Sequence, residues 1–330
     1  MFSFRIRRPH GRPMMALALA LALAPAAAAI AVVILGALCG RAGYAQPAPS
    51  VSSPDACDPA DAMRAHSVAF FYGNDVPVRQ LEKFDVVVVE PDSGFDPRAQ
   101  DVRRPAWFAY VSVGEVTQER DYARRMPKRW LFGRNTTWAS AVVDQSAQGW
   151  PSFFVEQVIA PLWARGYRGF FFDTLDSYQL VAKTEAARAK QEAGLVAVIH
   201  AVKSRYPTAQ LILNRGFEIL PKVHDAIAAV AFESLFGNWD QRNRRYGAVP
   251  AADRDWLLAQ AKAIEARYAL PVVSIDYCPP EDAACRDTIA AKIRATGLIP
   301  YVTDGALRTV GTGPDATASW RCRDARFGGD

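Results

Sequence analysis

The stretch that decides the fold is "GFFFDTLDSY", residues 169–178: three phenylalanines, then a carboxylate at Asp173 and a second at Asp176. A run this apolar reads as a strand buried on both faces. Seven comparable runs lie around it, at 67–73, 84–91, 106–115, 209–216, 229–236, 270–277 and 298–304. Several are almost wholly apolar rather than alternating, as parallel strands covered on both sides should be. Helical patterns fill many of the gaps. "PSFFVEQVIAPLWARG" stops at Gly166, and "TEAARAKQEAGLVAVIHAVKSRYP" stops before Pro207. "ADRDWLLAQAKAIEARYA" and "EDAACRDTIAAKIRATG" occupy the later gaps. Eight strands with intervening helices predict an α/β protein, a (β/α)8 TIM barrel in a single domain. A doubly wound open sheet is the alternative, but no glycine-rich phosphate loop follows the first strand.

The N-terminus is different in kind. It is basic, has no acid through residue 45, and becomes a long apolar run ending at Leu38, with Gly43-Tyr44-Ala45 behind it. That is the layout of a signal peptide over 1–45, with an uncleaved membrane anchor as the alternative. A Pro-, Ser- and Ala-rich linker is expected over 46–66, the barrel domain over 67–323 and a short tail over 324–330. Removing the leader's five arginines leaves 34 basic residues against 34 acidic ones. Bulk charge therefore points to neither nucleic acid nor an anionic membrane. The expected location is periplasmic or secreted, the expected state a monomer, with membrane contact only through the leader. In an oxidising compartment the remaining four cysteines can form two disulfides, read here as Cys278–Cys285 and Cys57–Cys322. Their spacing fits no familiar zinc pattern, and neither metal nor cofactor is expected.

In a barrel, chemistry belongs at the C-terminal strand ends. Those positions carry Tyr72, Glu90, Glu115, Asp173, Asn214-Arg215, Glu233, Asp276-Tyr277 and Asp304. Six of eight strands thus bring a carboxylate to one rim, although each alone also fits a cap, a turn or a salt bridge. Asp173 and Glu233 stand apart because "FFF" and "VAF" lead into them. Two carboxylates in environments that separate their proton affinities are what glycoside hydrolysis needs. Asp176 reads either as a sugar ligand or, with Gln179 three residues on, as a helix N-cap. Asn214 and Arg215 suit sugar hydroxyls, carboxylate orientation or a rim salt bridge. Tyr72, Tyr110, Phe236, Trp239, Tyr277 and Tyr301 offer aromatic faces to sugar rings, or pack the core. No serine-nucleophile elbow precedes a helix.

"YVSVGE", "GFFFDTLDSY", "LNRGFE" and "AFESLF", in this order, resemble the endo-α-1,4-polygalactosaminidase family of glycoside hydrolases. The likeness covers about residues 67–305. It implies a (β/α)8 barrel that cuts α-1,4-linked galactosamine and N-acetylgalactosamine polymers. It also implies that Asp173 and Glu233 match the family's catalytic carboxylates on strands 4 and 6. By analogy with retaining α-galactosidase barrels, Asp173 is the nucleophile and Glu233 the acid/base, with the reverse assignment open. The implied partner is a cationic aminosugar polysaccharide, drawn to an acidic mouth. The competing function is a barrel that binds the polysaccharide or assists its export without cleaving it.

Overall fold

The computed structural model describes residues 67–100 and 105–314. The leader, the linker and the proposed Cys57–Cys322 pair lie outside the described residues. The eight expected strands form one parallel sheet: β1 Val68–Phe71, β2 Val86–Val89, β3 Ala106–Ser112, β4 Gly169–Asp173, β5 Gln210–Asn214, β6 Ala229–Glu233, β7 Val272–Tyr277 and β8 Ile299–Thr303. They pair in chain order, each with the next. Side chains bridge the seam between β8 and β1: the Tyr301 hydroxyl donates to the Phe70 carbonyl at 2.9 Å, and the two rings lie 5.7 Å apart. The architecture is a (β/α)8 barrel.

The phenylalanines of β4 follow from the two-residue period of a strand. Phe171 turns into the barrel, with its ring 4.9 Å from Phe70 and 6.4 Å from Tyr110. Phe170 and Phe172 face the opposite way, and Phe172 meets Phe154 of the preceding helix at 5.6 Å. Asp173 shares the inward face of Phe171, so the last residue of the strand points into the barrel mouth. Gly169 is needed at the other end, because a Cβ there would sit 2.3 Å from the Phe108 ring.

The four expected helices are present. The first spans 150–164 with a π-turn at Val155–Ile159; the others are Glu185–Arg205, Ala251–Tyr268 and Ala283–Arg294. Thr184 caps the second, its hydroxyl accepting from the Ala187 N–H. Shorter turns replace full helices after β1 and β2. Two additions break the alternating pattern. Glu115–Val116, Leu131–Asn135 and Ser140–Val143 form a small antiparallel sheet between β3 and the first helix. Gly237–Asp240 and Arg245–Ala248 form a hairpin after β6. Cys278 and Cys285 are bonded, as expected from their spacing. None of the helices of the described residues is long and apolar enough to cross a membrane.

Candidate active site

Asp173 and Glu233 meet at the centre of the barrel mouth through Asn214 of β5, the strand between theirs. The Asn214 amide nitrogen donates to Asp173 Oδ1 at 2.8 Å and to Glu233 Oε1 at 3.3 Å. The two oxygens are therefore at most about 6.1 Å apart. With the usual angles at a donor nitrogen they are roughly 5 Å apart. Tyr110 donates to the other Asp173 oxygen at 2.9 Å. Asp173 is thus held as an acceptor on both oxygens, its orientation fixed from β3 and β5.

Glu233 has different surroundings. Burial, with the Asp173 charge adding to it, raises its pKa to about 7, because the charged form is the one disfavoured. The Tyr277 hydroxyl lies against Glu233 without closing a well-formed hydrogen bond. Tyr72 completes the wall, its ring 5.0 Å from that of Tyr110. Burial pushes the Tyr72 hydroxyl well above its ordinary pKa, reinforced by Tyr110, Asp173 and Glu233. Both tyrosines stay protonated across the physiological range and can only donate to an anion.

Strain collects at the same place. Thr174 and Arg215, each just past a site residue, have φ of 63° and 62°, a region that costs a side chain about 1–3 kcal/mol. The Thr174 turn is secured by its hydroxyl, which accepts from the Gly114 N–H at 2.8 Å and lies 2.9 Å from Ser112 Oγ. Arg215 is secured by its main-chain N–H on the Ala231 carbonyl and by its guanidinium on the Glu233 carbonyl at 2.7 Å. Its other nitrogen is 3.8 Å from Asp176. Arg215 thus serves the rim salt bridge. Asp176 occupies the N-cap position of a short 3-10 turn, but its side chain caps nothing. Burial raises its pKa, while Arg215 opposes the shift. Gln179, the expected capping partner, reaches Glu218 instead.

Most of the other rim carboxylates are engaged by the protein itself. Glu90 is clamped by both terminal nitrogens of Arg120, at 2.6 and 2.8 Å. Glu115 is buried and accepts from Asn135, Ser140 and Ser177. Asp276 is fully buried and accepts from the N–H groups of Leu235, Phe236 and Gly237 and from Ser274. Asp304 folds the segment after β8, taking the N–H groups of Ala306, Arg308 and Thr309. These four carboxylates, expected as substrate ligands, each hold protein partners of their own. Tyr301, expected either to face a sugar ring or to pack the core, is fully buried in the barrel seam. Phe236 is partly buried under Arg254, 5.9 Å from its ring. Trp239 packs against Tyr246, the tilted rings 4.6 Å apart.

Sequence reading named Tyr110 only as an aromatic face, missed its hydroxyl's role, and missed Arg120 and Thr174 altogether. No local signal marks them: Tyr110 reaches Asp173 because β3 and β4 pair with Ser112 opposite Asp173. Among the described residues, no group of three or more His, Cys, Asp and Glu side chains is placed to hold a metal ion.

Two facing carboxylates on the C-terminal rim, one fixed as an acceptor and one raised toward neutrality, are the arrangement that glycoside hydrolysis requires. The chain matches glycoside-hydrolase family GH114 over residues 47–324 and belongs to that family. It is similar to the glycoside hydrolase domain of PelA from Pseudomonas aeruginosa, at 35% identity and a TM-score of 0.69. That match covers 77% of this chain and all of the PelA domain. Ega3 of Aspergillus fumigatus, in complex with galactosamine, shares the fold at 12% identity and a TM-score of 0.55, over 76% of this chain and 97% of that one. An uncharacterized protein of Deinococcus radiodurans is 27% identical over 250 residues, which are 68% of this chain and 74% of the relative.

Proposed function

We propose that this hydrolase cleaves α-1,4-linked galactosamine and N-acetylgalactosamine polymer within the chain, with retention of configuration, outside the cytoplasm. The observation that carries the reading is the Asn214 bridge. It places the two carboxylate oxygens that it bonds roughly 5 Å apart, as inferred from those two hydrogen bonds, in the range of retaining enzymes at about 5–5.5 Å. Inverting enzymes need about 6.5–9.5 Å to admit a water. The roles follow from the surroundings. Asp173, oriented as an acceptor by Tyr110 and Asn214, attacks the anomeric carbon and forms the glycosyl ester. Glu233, raised to about 7, gives its proton to the departing glycosidic oxygen. In the second half, Glu233 takes a proton from water, which attacks the same carbon and frees Asp173.

Family membership and the galactosamine seen with Ega3 supply the substrate class for this reading. With four rim carboxylates tied up and Glu233 held protonated, attraction of a cationic polymer falls to Asp173, Asp176 and Glu218. Cleavage should still rise with deacetylation and weaken with added salt. The test is digestion of purified α-1,4-galactosamine polymer, following the anomer first released by proton NMR. An α-anomer that later mutarotates supports the reading; a β-anomer overturns retention. Asp173→Asn should abolish turnover and leave polymer binding intact, and turnover equal to the wild type would remove Asp173 from the mechanism.

A further inference from the structure

The segment leading into the small antiparallel sheet carries a surface that the hydrolase site does not use. From Tyr122 to Val143 there is no Asp or Glu, while Arg124, Arg125, Lys128, Arg129 and Arg134 are all exposed. None of the five is ion-paired among the described residues. The same segment holds three of the four large apolar side chains exposed among the described residues: Leu131 at 41%, Phe132 at 41% and Trp138 at 37%. Phe132 and Arg134 are two residues apart on one strand. Asn135 of that strand turns inward to Glu115, and a Cβ on Gly133 would strike Val181. The alternation therefore commits Arg134 to the outer face. Trp138 stands at the turn, next to Ala139 with φ of 53°. Trp130 anchors the base by packing against Trp150 and Phe153.

We propose that this hairpin is a docking surface for an anionic phospholipid membrane. Leu, Phe and Trp beside clustered Lys and Arg is the chemistry that inserts shallowly at a charged bilayer interface: the apolar groups enter the acyl boundary and the cations meet lipid phosphates. The charge has the wrong sign for the cationic polymer of the preceding section, an argument that rests on that reading. The hairpin itself does not depend on it. A nucleic acid or other soluble polyanion fits less well, because Leu131 offers nothing to stack and the apolar groups, two on the strand and one at the turn, are exposed at the surface. Since Glu115 ties the sheet to the rim through Asn135, Ser140 and Ser177, docking would bring the catalytic end of the barrel near the bilayer.

The experiment is vesicle co-sedimentation with the chain from Gln46 onward, which keeps the whole barrel and removes the apolar leader that would itself bind lipid. Vesicles of phosphatidylcholine alone are compared with vesicles that also contain phosphatidylglycerol. The proposal expects binding to the anionic vesicles only, weakening as salt rises. It expects losses of about tenfold or more for the combined R124S, R129S and R134S variant, and a clear loss for Phe132→Ser with Trp138→Ser. Both variants should melt at the wild-type temperature, which separates a lost surface from a lost fold. Equal binding to neutral vesicles, or wild-type binding by folded variants, would overturn it. So would binding of a DNA duplex with the same variant sensitivity when no vesicle pelleting occurs. Neither readout involves hydrolysis, so failure here leaves the substrate assignment untouched.

Discussion

Glu233 sets the pH behaviour of the protein in two ways. In the proposed role of proton donor it must be protonated, so kcat/KM should fall as pH rises through about 7, and a rate profile measured on both sides of neutrality checks this. The same shift bears on stability. Because the folded-state pKa lies above the ordinary value of 4.5, the folded chain binds the extra proton between the two values. Its stabilising effect is complete below the ordinary pKa and is lost as pH climbs through about 7. Glu233→Gln, which cannot ionise, should therefore raise the melting temperature at pH 8 and lose that advantage near pH 4. Melting scans at the two pH values decide. Asn214 is the other residue with a sharp expectation. Its amide nitrogen contacts both carboxylates, so Asn214→Ala should lower kcat by about a hundredfold through misplacement. Substrate binding should change little, and separate kcat and KM values would show the split.

Among the elements, β4 was the most readable. Its apolar length, its abrupt end and the inward turn of Asp173 all follow from a two-residue period in a sheet covered on both faces. The loops behind the strands were the least readable. Thr174 adopts positive φ although nothing in "DTLDS" demands it; the turn is imposed by Gly114, Ser112 and the end of β3. Gly114 is the weak point of that contact, because a Cβ there would lie 2.0 Å from the Thr174 carbonyl oxygen. Gly114→Ala should force the Asp173–Thr174 turn aside, lowering stability by about 1–3 kcal/mol and reducing turnover as well. A melting curve together with a rate measurement would reveal it. The small sheet and the hairpin after β6 were missed because their strands are only two to five residues long, too short to show the apolar runs that marked the barrel.

For the whole molecule, the seam between the first and last strands matters most. Tyr301 joins residues 231 positions apart, donating to Phe70 and accepting from the Gly311 N–H at 3.1 Å. Tyr301→Phe leaves both main-chain groups buried without their partner and should lower stability by about 1–3 kcal/mol. That would appear as a melting point several degrees lower, with little change in the chemistry at the opposite wall. The barrel, the helices, the Cys278–Cys285 pair and the identity of the two central carboxylates were all determined by the sequence alone. Strand periodicity, helix stops and apolar approaches are local signals, written in neighbouring residues. Which rim carboxylates remain free was decided only by the tertiary structure. Glu90, Glu115, Asp276 and Asp304 looked equivalent to Asp173 and Glu233 along the chain. What separates them is the donors that folding brings to each: an arginine for Glu90, side-chain amide and hydroxyl groups for Glu115, main-chain N–H groups for Asp276 and Asp304, and a shared asparagine for the pair.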